Sequence, residues 1–412
     1  MRILIINADY PNFLRELYLS WPRLADSSYA EQMAARNHSL FGVADFYSLN
    51  FKAHGHEAAE LHINNPWMQY AWAREHGLDL PPLVPPPQPD GAPARRRIGP
   101  KLIAVAKIVL RPFKPVLRRV LHRLQRLRRM APMGSPAPDR HDWERAILKA
   151  QIEDFQPDVI LNQEMAYLRS SFLNTVKKPG RLIIGQIASS LPEGESFEVY
   201  DLVISSLPNF VEWFRAQGVP AELNRLAFEP TALTRMGEPP PLRDIPLSFV
   251  GSLSPDHVNR IAFLEYLATR TPLKVWGNGI ERLPASSPLH ARYQGEAWGR
   301  DMYEILRRSR ITLNFHIDLA EGWANNMRLY EATGMGPLLL TDAQRNLAEM
   351  FVPGEHVAAY TDAQDCVRQI ELLLANDALR ERIAAAGQRH AIATQNYFLR
   401  TGEIAALAAG LR

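Results

Sequence analysis

The chain of 412 residues is 46% hydrophobic and 22% charged, the composition of a globular protein at a length that suits two domains. Its single cysteine, Cys366, excludes an intrachain disulfide, and in the helical pattern DAQDCVRQIELLL it reads as a small buried hydrophobe. The net charge of +3 hides an asymmetry: residues 95–129 carry thirteen Lys or Arg and no acid, which leaves 34 basic against 44 acidic residues elsewhere.

The first apolar run, Ile3 to Ile6, stops at Asn7 and Asp9, too short for a signal-peptide core. No uncharged stretch approaches the roughly 20 residues that span a bilayer. The expectation is a cytoplasmic protein, soluble or peripheral at the membrane.

MRILIIN predicts a buried parallel strand, apolar on both faces. The loop after it sets Asp9 and Tyr10 at the carboxyl end of that strand, where open α/β sheets bind ligands. Asp9 has a second reading, as a helix cap. Helical stretches follow around residues 12–19, 28–36 and 39–54, then the strand EAAELHI and an Asn-capped helix in NNPWMQYAWAREHG. Residues 81–93 hold seven prolines, a stiff linker. Residues 101–130 have the spacing of a basic amphipathic helix, broken or kinked at Pro112 and Pro115. With a second linker, APMGSPAPD, residues 81–138 read as an insertion.

The α/β pattern resumes at Asp142 with a helix to Phe155, then the strand VILNQ with Glu164 just beyond it. RLIIGQ, DLVISS and AELNRLAF are further strands, and NFVEWFRAQG a helix. The proline-rich FEPTALTRMGEPPPLRDIP marks a boundary between a first domain, 1–235, and a second, 236–390. The second alternates strand and helix through LSFVGSLS, HVNRIAFLEYLATR, LKVWGNG and RDMYEILRRS. A strand at Ile311 to Phe315 then leads to a loop holding His316, Asp318, Glu321, Asn325 and Asn326. A helix from Met327 to Thr333 follows, with Gly334 and Gly336 read as its end, and then a strand to Thr341. HVAAY closes a doubly wound parallel sheet. Residues 379–412 are helical, and 391–412 are expected to cross back to the first domain.

Candidate ligand contacts cluster in that second half. Gly251 and Ser252 form a turn that could offer N–H groups to a phosphate or be a tight turn only. His257 and Arg260 lie on the next helix, and Gly277, Asn278 and Gly279 make another turn at the same sheet edge. Neither turn is a Walker loop or a dinucleotide fingerprint, which argues against an ATPase or a dehydrogenase. A helix N-terminus at Asn325 or Asn326, with Arg328 on it, suits a phosphate. Glu331, one turn further, could accept two hydrogen bonds from a sugar diol. His316 is read equally as a ligand contact or a core histidine. With no Asp-x-Asp, His-Glu-x-x-His or Cys pair, no metal and no other cofactor is expected. The basic segment reads as a membrane-surface helix or as plain packing. Phe113 is its only aromatic, which speaks against nucleic acid.

Asn326, Arg328, Glu331, Ala332, Gly334, Gly336, Thr341 and Asp342 resemble the signature of the CgeB-like (spore-maturation-protein-like) bacterial glycosyltransferases, within the GT-B class. SFVGSLSPDHVNR, LKVWGNG and GHEAAELHINN are similar as well, so the likeness spans most of the chain outside residues 80–140. Many GT-B enzymes flank the nucleotide-sugar with two Glu residues that have seven residues between them; here Glu321 and Glu331 have nine between them. The resemblance implies two Rossmann-like domains facing a cleft, with a basic helical insertion in the first and a C-terminal crossover helix. It implies a nucleotide-diphosphate sugar donor on the second domain, held by Gly251, Ser252, His257, Arg260, Gly277, Asn278, Glu321, Asn325, Asn326, Arg328 and Glu331. The hydroxyl acceptor would sit on the first. Catalytic candidates are Asp9 and Glu164 as bases, with His316 and Arg328 near the leaving diphosphate. Two rivals share the fold: a nucleotide-sugar epimerase, and a non-catalytic module that docks on a membrane or partner.

Overall fold

The computed structural model describes residues 1–21, 23–80, 142–238, 240–253, 258–316 and 320–412. The expected basic insertion, His257 and Asp318 lie outside these residues.

Two parallel sheets organise the chain. The first is built from β1 (Arg2–Asn7), β2 (Glu57–His62), β3 (Val159–Asn162), β4 (Leu182–Gln186), β5 (Leu202–Ser205) and β6 (Ala221–Leu223), in the order β2-β1-β3-β4-β5-β6. The second holds β7 (Ile245–Val250), β8 (Leu273–Trp276), β9 (Ser309–Leu313), β10 (Leu338–Asp342) and β11 (Ala358–Tyr360), in the order β11-β10-β9-β7-β8. Helices flank both sheets, so the central strands bury both faces and read as unbroken apolar runs; Ile3 to Ile6 and Leu338 to Leu340 are all buried.

Several boundaries differ from the sequence pattern, each for a local reason. Residues 39–45 are a loop, because Leu40 and Ala44 take left-handed backbone with φ of 56° and 42°; the helix starts only at Phe46. β6 stops at Leu223 because the chain leaves the sheet there. The Phe228 N–H donates to the Gln395 carbonyl (2.8 Å) and its carbonyl accepts from Tyr397 N–H (3.1 Å), tying the connection between the halves to the C-terminal crossing. Gly334 does not end a helix. The helix runs Met327–Met335 and closes at Gly336, whose φ is 95°. Gly334 lies inside it because a Cβ there would collide with the Phe228 ring.

The Asp377–Thr394 helix packs on the Met327–Met335 helix of the second half. The chain turns at Gln395 and Asn396, and the Tyr397–Gly410 helix packs on the Phe46–Ala53 helix of the first. One apolar cluster therefore runs through both halves, from Ile3, Val159 and Ile184 through Phe228 and Tyr397 to Tyr303, Leu329 and Leu339. Among the described residues no helix is long and apolar enough to cross a membrane.

Candidate functional site

The carboxyl edge of the second sheet carries most of the expected residues, and the structure sorts them. The glycine N–H groups of the turns after β7 and β8 are already used by the backbone. The Gly251 N–H donates to the Trp276 carbonyl at 3.0 Å, Leu253 N–H to the Asn278 carbonyl at 2.8 Å, and Gly277 N–H to the Gly295 carbonyl at 3.0 Å. Gly277, at φ 150°, is glycine because a Cβ would strike the Gly251 carbonyl. The expectation that Gly251 and Gly277 offer free N–H groups to a phosphate is therefore corrected. The N–H groups of Gly251, Leu253 and Gly277 are taken by backbone carbonyls, and Ser252 and Asn278 stand half-buried in these turns. Arg260 reaches the carbonyls of Ser252 and Phe315, each at 3.4 Å, and so straps the loop after β7 to the loop after β9.

The loop and helix after β9 are different. Asn326 caps the Met327–Met335 helix, its carboxamide oxygen taking the Leu329 N–H at 3.0 Å while its amide donates to Asn314 at 2.8 Å. It therefore works as a cap. The dipole end remains, since the first N–H groups of a helix have no intrahelical acceptor. Asn325 is buried just before it. Glu321 is exposed, with left-handed backbone at φ 49°, whereas Glu331 is buried.

Glu331 is 6% exposed and receives Arg328 Nη1 at 2.9 Å. Burial pushes its carboxyl above the usual carboxylate range in spite of Arg328. Arg328 also lays Nη1 2.8 Å from the Met302 sulfur, and its Nε is buried without a hydrogen-bond acceptor. An anion brought to this helix end would find a guanidinium whose hydrogen bonds are incompletely used.

His316 is 3% exposed, and its Nδ1 lies 2.6 Å from Asp342 Oδ1. Burial raises the Asp342 carboxyl, but the His316 ring and backbone N–H outweigh that and hold it below its ordinary value. The carboxylate assigns the proton to Nδ1, which leaves Nε2 buried and without a hydrogen-bond partner. Asp342 was legible only as a member of the signature, not as the partner of His316.

In the first half the two carboxylate candidates separate. Asp9 is a buried structural anion. Arg36 Nη2 lies 2.7 Å from Oδ1 and His62 Nδ1 3.2 Å from Oδ2, with all three side chains almost fully enclosed. Burial opposes its charge, but Arg36 and His62 prevail and hold the carboxyl far below the usual range. A carboxylate so held takes no proton at neutral pH, so Asp9 is corrected from candidate base to structural anion. Nor does it cap a helix; the cap position of the Pro11–Ser20 helix is Tyr10. Nothing local in the sequence pointed to Arg36, which is 27 positions away. Glu164 is half-buried beyond β3. Burial lifts its carboxyl to about 7; a hydrogen bond from the Ala8 backbone draws it down and the Asp9 charge adds to the rise.

The β9 loop joins these two regions. Ala320 is buried in the same apolar cluster as Ile6, Ile63 and Ile187, and Trp323 packs there with Ala8. Arg345 fixes this loop from behind, with its N–H on the Gly322 carbonyl at 3.0 Å and its guanidinium 5.8 Å from the Trp323 ring. Tyr10, Phe41 and Trp298 add an edge-on aromatic contact between the halves. Among the described residues no group of three or more His, Cys, Asp or Glu is placed to hold a metal ion.

Residues 260–406 match a family model described as glycosyl transferase-like. No curated protein matches the chain. Among solved structures, a glycosyltransferase from Rickettsia africae ESF-5 superposes with a TM-score of 0.55 at 9% identity, covering 100% of this chain and 98% of that one. AviGT4, a glycosyltransferase involved in avilamycin A biosynthesis, gives 0.53 at 13% identity, covering 100% and 98%. HepE from Anabaena, solved with UDP-glucose, gives 0.52 at 12% identity, covering 100% of both. The fold is GT-B.

Proposed function

We propose that the protein is a glycosyltransferase of the CgeB-like kind, moving a sugar from a nucleotide-diphosphate sugar to a hydroxyl acceptor without a metal, in bacterial surface glycan or glycoconjugate synthesis. One observation carries this reading. The segment after β9, inside the glycosyl transferase-like match, gathers His316, Arg328 and Glu331, and its loop packs on the first half beside Ala8, which bonds Glu164. Arg328 and the helix N-terminus stabilise the leaving diphosphate, whose charge grows as the bond to the sugar breaks. Glu331 takes the ribose hydroxyls when Arg328 turns to the diphosphate. His316 contacts the transferring sugar or its phosphate through Nε2.

Glu164, with a carboxyl lifted to about 7, is the acceptor-side group. An inverting transfer uses it as the base that takes the hydroxyl proton. A retaining transfer passes that proton to the leaving diphosphate and uses Glu164 only to accept a hydrogen bond. The anomeric configuration of the product, read by NMR, assigns one or the other.

The bound UDP-glucose of HepE makes uridine diphosphate the first nucleotide to test. A thermal-shift and calorimetric screen of UDP, GDP, TDP and their sugars is expected to find one nucleotide that binds, with the matching sugar hydrolysed or transferred in excess EDTA. Binding by none of them, or a strict need for added Mg²⁺ or Mn²⁺, overturns the donor or the metal-free part of the reading.

A further inference from the structure

Asp9, held as a structural anion, fixes the residue that follows it. Its carboxylate is bound by Arg36 and His62, its N–H donates to the Asn64 carboxamide oxygen at 2.8 Å, and its carbonyl accepts from the Asn64 amide at 2.7 Å. On the other side Pro11 opens a helix, and the Tyr10 carbonyl takes the Leu14 N–H at 3.0 Å. The Tyr10 backbone is therefore held from both directions, while its side chain is 64% exposed. An aromatic side chain kept in water on a fixed backbone meets a ligand without a main-chain ordering cost.

Three features set that ring beside the acceptor-side carboxylate, where the two halves meet. β1 and β3 are neighbours, with the Gln163 N–H on the Ile6 carbonyl at 3.0 Å, so the loops carrying Tyr10 and Glu164 leave the sheet side by side. The Ala8 N–H, two residues before Tyr10, bonds the Glu164 carboxylate, and burial together with the Glu164 charge raises the Tyr10 hydroxyl above its ordinary value. The second half meets the ring through Trp298, whose ring centroid is 6.3 Å away at 80°. The Arg300 N–H on the Ser39 carbonyl at 2.7 Å holds Trp298 there, and Gly299 is glycine because a Cβ would strike that same carbonyl. Phe41 stands at 5.7 Å and 68°, so neither neighbour stacks flat on Tyr10.

An acceptor bound here must satisfy a flat apolar surface and a carboxylate at once. A sugar ring does so: its faces present C–H groups, and its edge presents hydroxyls, each a donor as well as an acceptor. A serine or threonine hydroxyl brings no ring to cover the aromatic surface. A lipid phosphate brings an anion beside Glu164, which like charge disfavours.

Resting on the transfer reaction proposed above, we propose that the acceptor is a neutral sugar whose ring stacks on Tyr10 with one hydroxyl turned to Glu164, so that Tyr10 selects the acceptor. The test is saturation-transfer NMR on the full chain with methyl α-D-glucopyranoside, methyl α-D-mannopyranoside and N-acetyl-D-glucosamine in the presence of UDP, beside calorimetry of UDP on the same samples. At least one sugar is expected to saturate, most strongly at its ring C–H protons. Tyr10→Phe, which keeps the ring, is expected to retain that signal, and Tyr10→Ala to lower it about ten-fold, the size of one aromatic contact. The proposal is overturned if no sugar saturates, if Tyr10→Ala keeps the signal, or if Tyr10→Phe loses it as fully as Tyr10→Ala. It is overturned as well if Tyr10→Ala weakens UDP binding by the same factor, which assigns the ring to the donor. Sugar binding that depends on Tyr10 in a protein that binds no UDP refutes the donor reading instead, and UDP binding without a sugar signal refutes this inference alone.

Discussion

His316 and Asp342 stand at the ends of neighbouring parallel strands, and Nδ1 of the first lies 2.6 Å from Oδ1 of the second. Because the carboxylate claims the Nδ1 proton, the only uncommitted atom of this buried ring is Nε2. His316→Gln is expected to lower turnover about 10²-fold or more, the range for removing a group that acts in the transition state. Asp342→Asn is expected to cost less, roughly ten-fold, because an amide is a weaker partner for the Nδ1 proton. Release of nucleoside diphosphate from the identified donor measures both, and wild-type rates in either variant refute the role.

Glu331 and Arg328 form an ion pair on which folding and, under the proposed function, UDP binding are expected to depend. Glu331→Ala leaves the part-buried Arg328 with only the Met302 sulfur among its side-chain partners here. Breaking a buried pair from one side costs about 3–5 kcal/mol, so this variant is expected to melt lower as well as bind UDP more weakly. Glu331→Gln keeps an acceptor for Arg328, and its loss of UDP affinity is expected to be roughly 1–3 kcal/mol with little change in melting. Calorimetry with UDP on the Gln variant separates the two effects; unchanged affinity removes Glu331 from the donor site.

Glu164 predicts a pH profile. With its carboxyl at about 7, the group is ionised above that pH and protonated below it. Turnover that depends on the carboxylate falls as pH drops through about 7, and Glu164→Gln is expected to be slow and flat across that interval. A wild-type fall near pH 4.5, the ordinary range of a glutamate, contradicts the role.

Gly334 carries a packing prediction. Gly334→Ala forces a methyl into the Phe228 ring, and overpacking of this kind costs typically about 1–3 kcal/mol. Phe228→Leu combined with it is expected to recover part of the loss, which denaturant melts of the four-variant cycle measure. Additive losses show that the two positions do not touch.

Residues 95–129 carry a prediction from charge alone, since they lie outside the described structure. Each Lys or Arg near an anionic bilayer contributes about 1 kcal/mol, weakened by salt. The protein is expected to sediment with anionic but not neutral liposomes, and deletion of residues 81–138 is expected to abolish this while leaving UDP binding intact. Sedimentation unchanged by the deletion assigns the lipid contact elsewhere.

The sequence by itself determined the α/β alternation, the two sheets and a helix starting at Met327. These follow from short-range patterns: unbroken apolar runs for buried strands, threefold and fourfold spacing for helices, glycine where φ must be positive. It also marked the stretch that holds His316, Arg328 and Glu331, because those residues lie close along the chain. Only the tertiary structure decided which groups are free to act. Asp9 and Glu164 look alike as carboxylates just past a strand. One meets Arg36 and His62 and stays ionised, while the other is raised by burial and by the Asp9 charge, against the Ala8 hydrogen bond, and gains affinity for a proton. Gly334 looked like a helix end until Phe228, from a distant segment, occupied the place of its missing side chain. The glycine turns after β7 and β8 looked like phosphate cradles until the Gly251 N–H went to Trp276 and the Gly277 N–H to Gly295. In every case the deciding partner is remote in sequence, and hydrogen bonding and burial at a site depend on what the fold brings within a few ångströms.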